Sequence, residues 1–115
     1  MVVDLLAPEN DRVFAALGDR TRRDILTHVL TADASVSALA RRYPISITAV
    51  QKHVATLEAA GLVTRRRVGR EQLVTGNPDT LRHAAALLNA LEQTWRARID
   101  RIDALLTPPD EGAPG

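Results

Sequence analysis

The chain contains no cysteine, which removes a disulfide framework and any thiolate metal site and leaves metal binding to histidine and carboxylate alone. Aromatic residues make up only 3% of it, with Phe14, Tyr43 and Trp95 one of each kind and far apart. That scarcity argues against a stacking platform for single-stranded nucleic acid. No apolar run approaches the roughly 18 residues of a membrane-spanning helix. The opening Met-Val-Val-Asp-Leu-Leu-Ala-Pro lacks the basic start and long apolar stretch of a secretion signal, so a cytoplasmic protein without a membrane partner is expected. His28, His53 and His83 are scattered through short polar contexts. None has the nucleophile, base and orienting group at a spacing that covalent catalysis needs, so an enzyme is not expected.

What is present fits one ordinary globular domain: 115 residues, 45% hydrophobic and 25% charged. The formal net charge is only +1, but it is unevenly spread. Residues 35–76 hold seven basic side chains (Arg41, Arg42, Lys52, Arg65, Arg66, Arg67, Arg70) against two acids (Glu58, Glu71), a local +5; the remainder holds eight basic and twelve acidic residues, −4. Segregation of this kind predicts one surface suited to a polyanion, the plainer alternative being solvated arginines.

Periodicity and capping residues divide the chain into helices and a hairpin. Asn10 is the candidate cap of a short helix carrying Val13, Phe14 and Leu17, with Gly18 as its stop. Asp19 is placed to cap a second helix, whose apolar stripe is Ile25, Leu26, Val29 and Leu30 and whose other face shows Arg22, Arg23 and Asp24. A loop is expected from Thr31 to Ala34. Ser37 is the candidate cap of a two-turn third helix ended by Tyr43-Pro44. Ser46 begins a fourth, with Val50, Val54 and Leu57 inward and Gly61 closing it. Leu62 to Arg67 and Glu71 to Thr75 read as two strands joined through Val68-Gly69-Arg70. Asn77-Pro78-Asp79 then opens a long helix reaching about Leu106. On it Leu81, Leu88, Trp95 and Ile102 repeat every seven residues, with Ala84, Leu91 and Leu105 as a companion stripe that Arg98 interrupts. So much apolar surface on a long rod predicts pairing with a second copy through Leu81, Leu88, Leu91, Trp95, Ile99 and Ile102, aided by Leu5, Leu6, Val13 and Phe14.

A helix-turn-helix followed at once by an arginine-loaded hairpin is the pattern of a double-stranded DNA reader. The second helix can enter a major groove while guanidinium forks hold flanking phosphates. Three stretches carry a more specific likeness: Ala16-Leu17-Gly18-Asp19-Arg20-Thr21-Arg22-Arg23-Asp24-Ile25-Leu26, Val50-Gln51-Lys52-His53-Val54-Ala55-Thr56-Leu57-Glu58-Ala59-Ala60-Gly61-Leu62-Val63, and Arg67-Val68-Gly69-Arg70. In these the chain resembles the ArsR-type winged helix-turn-helix transcriptional repressors over about residues 11–106. Trp95-Arg96-Ala97-Arg98-Ile99-Asp100-Arg101-Ile102 looks like the tail of the metal-independent branch that includes SdpR-like autorepressors.

The resemblance implies a mainly α fold with a small β-hairpin: four helices, a two-stranded wing and a long dimerisation helix. It also implies a homodimer that represses from a pseudo-palindromic operator. Ser46, Thr48, Ala49, Gln51, Lys52 and His53 fall at its recognition-helix positions and Arg67, Gly69 and Arg70 at its wing positions, with Arg65 on the same hairpin. Gln51 can read adenine bidentately, Thr48 and Ala49 can touch a thymine methyl, and Lys52 can bind guanine or phosphate. The domain is expected to span residues 9–106, preceded by an arm (1–8) and followed by a disordered tail (107–115). Two departures bear on sensing. Ser35-Val36-Ser37-Ala38-Leu39-Ala40 offers no ligand where many family members carry metal-binding cysteines. Asp79 and His83 stand one turn apart without the further histidine and glutamate of a closed site. No metal or cofactor is therefore expected. Gly76 falls where the family usually places an apolar residue, which predicts a hairpin that frays early. The rival to a DNA reader is a winged helix serving protein association alone, its arginines facing an acidic partner.

Overall fold

The computed structural model describes residues 7–107, so Leu5 and Leu6 and nearly all of the expected tail lie outside it. Helix α1 (Pro8–Leu17) starts with proline at its first position after an extended Ala7, where the ring's fixed φ suits helix entry and its missing N–H costs nothing. Asn10 is therefore not the cap. It lies inside α1, 3% exposed, with Oδ1 3.2 Å from His83 Nε2 on the last helix. Asp19 caps α2 (Arg20–Thr31), accepting from the Arg22 backbone N–H at 2.9 Å, a bond of a type contributing about 1 kcal/mol.

The expected loop after α2 instead contains a short strand, β1 (Ala34–Ser35), paired antiparallel with Val74 and Leu73. Two residues are too few to show an alternating pattern, so this strand has no local signal. Ser35, not Ser37, caps α3 (Val36–Ala40), accepting from the Ala38 N–H at 3.0 Å. The buried serine that leaves the sheet is already turned toward the helix start, while Ser37 is exposed. Helix α3 ends at Ala40, ahead of Tyr43-Pro44. Ser46 caps α4 (Ile47–Ala59) through the Ala49 N–H at 3.1 Å, and Gly61 follows with φ +77°.

Strands β2 (Val63–Val68) and β3 (Glu71–Gly76) form the hairpin, and the sheet order is β1-β3-β2. Only Gly69 and Arg70 separate the strands, and Gly69 alone takes positive φ, +63°. Positive φ at the first loop position only is what a type II′ turn requires. The hairpin does not fray at Gly76, which stays in register with Val63. A Cβ there would lie 2.7 Å from Leu30 Cδ2, so packing against α2 excludes the apolar side chain the family pattern calls for.

Ile25, Leu39, Val50, Val54, Leu57, Leu62, Val63 and Val74 form the centre of the core, each burial worth about 1.5–3 kcal/mol. Helix α5 (Pro78–Leu106) has 29 residues, about 43 Å at 1.5 Å per residue. Only Ala84 and Leu87 on it are buried, with Leu81 packed partly against the core. Leu87 faces the body and its neighbour Leu88 faces away, as a rotation of about 100° per residue demands.

Candidate nucleic-acid interface

Helix α4 is divided lengthwise. Val50, Val54 and Leu57 are fully buried, whereas Thr48, Gln51, Lys52 and Ala55 share an exposed stripe at i, i+3, i+4 and i+7. Ser46 is exposed at the N-cap and Ala49 is half-buried beside it. Ile45 and Ile47 add exposed apolar surface at the same tip, a feature whose signal in the sequence is two isoleucines flanking an N-cap. The stripe thus offers an amide, an ammonium and small apolar groups, the set that matches base edges and methyls in a major groove.

Arg22 holds this helix in place. Its Nε donates to the Ala16 carbonyl at 2.8 Å and its Nη2 to the Ala15 carbonyl at 3.1 Å, the latter also accepting from the Gly18 N–H, so the guanidinium caps the end of α1. Its Nη1 lies 3.3 Å from His53 Nδ1 on α4. Arginine can only donate, so Nδ1 is the accepting atom of this contact. His53 is half-buried by this contact. The Arg22 backbone N–H also holds the Asp19 carboxyl below its ordinary value, with the guanidinium charge adding to the effect against partial burial. Periodicity had placed Arg22 on an outward face; its three-way attachment has no sequence signal because its partners come from α1 and α4. Tyr43 Oη donates to Asp24 and so ties the α3–α4 turn to α2. Burial first, then that bond, raises the phenol's pKa.

The wing arginines are not equivalent. Arg66, Arg67 and Arg70 are exposed and join no ion pair among the described residues; Arg67 Nε donates to the Gly69 carbonyl at 3.3 Å at the turn. Arg65 stands opposite the buried Val74 and turns toward α4. Its Nη2 and Nε donate to one Glu58 oxygen at 2.7 and 3.1 Å, and this bonding lowers the Glu58 pKa. The expectation of a free phosphate ligand at Arg65 is thus revised: its guanidinium is already engaged. At the wing base Asn77 Nδ2 and Thr80 Oγ1 both donate to the Gly61 carbonyl, at 3.0 and 2.7 Å, joining the end of α4 to the start of α5.

On α5, burial against the body ends at Leu87. Leu88, Leu91, Trp95, Ile99 and Ile102 are exposed, as is Phe14 on α1, whereas Val13 is core of its own subunit and cannot serve an interface as expected. Arg98, which breaks the apolar repeat, lies 5.8 Å from the Trp95 ring centroid, within cation–π range. Asp79 pairs with Arg82 and His83 with Asn10, so this helix start is organised by contacts within the protein. Among the described residues no group of three or more His, Asp or Glu side chains could hold a metal ion, and no helix is long and apolar enough to cross a membrane.

A helix-turn-helix whose second helix is flanked by a basic β-hairpin defines a winged helix-turn-helix, a DNA-binding class. Residues 17–66 match the profile of the helix-turn-helix domain family. The chain is 40% identical over 80 residues to the HTH-type transcriptional regulator YuzN of Bacillus subtilis, covering 64% of this chain and 87% of that protein. It superposes with a TM-score of 0.77 on an ArsR-like transcriptional regulator from Rhodococcus sp. RHA1, at 39% identity over 88% of this chain and 95% of that one. A TM-score of 0.61 relates it to the homodimeric winged helix-turn-helix DNA-binding domain of Mb0332 from Mycobacterium bovis, at 26% identity over 74% of this chain and 80% of that one. The chain belongs to the ArsR family of helix-turn-helix transcriptional regulators. It is a DNA-binding regulator, of a family that is not enzymatic.

Proposed function

We propose that two copies pair through α5 and present their α4 tips to successive major-groove faces of a pseudo-palindromic operator, as a cytoplasmic repressor that can act on its own promoter. The observation that carries this reading is the coexistence of a polar, small-residue stripe on α4 with an apolar α5 face that the subunit's own body leaves uncovered. The homodimeric state of the Mycobacterium bovis neighbour supports the pairing. Two-fold symmetry would set half-sites about 34 Å apart. Thr48, Ala49, Gln51 and Lys52 read bases, Ser46 and His53 flank them, and Arg67, Gly69 and Arg70 hold phosphates. The lack of ligands on α3 supports the metal-independent, SdpR-like branch, in which dimer concentration rather than a metal governs occupancy.

Selection of bound sequences from random duplex DNA, followed by footprinting, tests this. Gln51→Ala should cost about 1–3 kcal/mol at one base position only. Arg70→Ala should weaken all sequences alike and flatten the salt dependence by about one unit. Unchanged selectivity in the first variant removes Gln51 from base reading. A pronounced change in affinity on adding zinc contradicts the metal-independent assignment, and absence of any sequence-selective retardation favours the protein-association alternative.

A further inference from the structure

We infer that Arg65 is a positioning residue, a brace that fixes the wing against the recognition helix, and that Glu58 is the anchor it requires. The inference rests on the reading of β2–β3 as a DNA-contacting wing.

The placement of both side chains argues for this role. Arg65 is the wing arginine whose cross-strand neighbour, Val74, belongs to the core, and its side chain is 26% exposed. Two of its donors converge on one Glu58 oxygen, and Nη1 reaches toward Gln72 Oε1 on β3 at 3.5 Å. One guanidinium therefore spans α4, β2 and β3 with a rigid planar fork, geometry that a phosphate ligand would need free. Glu58 is in turn the only carboxylate on α4 and lies in its last turn. A negative charge at a helix C-terminus is unfavourable, and more so on a helix that approaches a polyanion. Left unpaired it would oppose DNA binding. Paired, it links the two parts of the molecule that must meet one duplex at once, α4 in the groove and the turn at Gly69-Arg70 on the backbone.

Electrostatics alone and bracing predict opposite signs, which makes the idea testable on the full-length protein with a selected operator duplex. Glu58→Ala removes a negative charge, so simple charge bookkeeping predicts tighter binding. The brace predicts about fivefold weaker binding, with Arg65→Ala similar and the double variant no weaker than either single one. Arg65→Ala should leave the salt slope unchanged, because no phosphate contact is lost, while Arg70→Ala flattens it by about one unit. Hydroxyl-radical protection at the wing's flanking phosphates should fade in both brace variants while Gln51-dependent protection of bases persists, a separation that general destabilisation would not produce. Arg65→Lys, which keeps the charge and most of the stem, serves as the variant least prone to unfold and should lose an intermediate amount of affinity. A slope flattened by Arg65→Ala, tighter binding by Glu58→Ala, or additive losses in the double variant overturns the brace. If Arg67→Ala and Arg70→Ala also leave affinity and slope untouched, the wing reading itself falls and the brace with it.

Discussion

The body of the molecule and the far half of α5 obey different rules. In the body, α2, α3, α4 and the sheet bury their apolar faces against one another, and Arg22, Asn77, Thr80 and Arg65 bond across element boundaries. Beyond Leu87 every described residue of α5 except the half-buried Ala90 is exposed, including Trp95 at 56% and Leu105 at 85%. Most helical stability in proteins comes from packing an amphipathic face. The body has its packing within one chain, and the distal rod has an amphipathic face without it. The difference teaches that a single subunit is a fully packed head on a stalk whose apolar face it leaves uncovered.

Substitutions on the two sides of this divide should behave differently. Leu57→Ala empties a fully buried site on α4 and should lower unfolding stability by about 2–5 kcal/mol in urea titration; Leu105→Ala, by contrast, should change a single subunit's stability by less than about 0.5 kcal/mol. Equal effects would erase the distinction. Trp95→Glu should leave the body folded by circular dichroism yet abolish pairing, and with it the bivalent gain in operator affinity, about a hundredfold. Gly76→Ala sharpens the account of the body's rim: the added Cβ meets Leu30 at 2.7 Å, for an expected loss of about 1–2 kcal/mol read from the urea midpoint. The smallest effect concerns acid. Glu58 and Asp19 have folded pKa values below their ordinary 4.5 and 3.8, so their contribution is fully present above pH about 5 and is lost as pH falls through the lowered values. Glu58→Gln should shallow that acid-induced decline; an unaltered profile would remove Glu58 from it.

Features governed by near neighbours along the chain were legible in the sequence. Asp19, Ser46 and Asn77 cap helices by bonding N–H groups two or three residues ahead, and Gly61 and Gly69 take the positive φ that only local backbone geometry demands. The buried face of α4, Val50, Val54 and Leu57, followed from period alone. Features that depend on remote partners were not legible. Asn10 has its side chain on His83 of the last helix; β1 exists only because β3 offers an edge; Gly76 is required by Leu30. Of the candidate site, the exposed face of α4 was visible in outline, whereas the diversion of Arg65 to Glu58 and of Arg22 to His53 was not, because arginine's composition signal is the same for a phosphate ligand and for a brace.

Sedimentation velocity of the protein with its selected operator measures the central claim most directly, since it counts chains on the duplex. The account predicts free protein at twice the 12.5 kDa chain mass and a complex of two chains per duplex, both reduced to single chains by Trp95→Glu. A wild-type chain that sediments alone at micromolar concentration and binds duplex one copy at a time would contradict it.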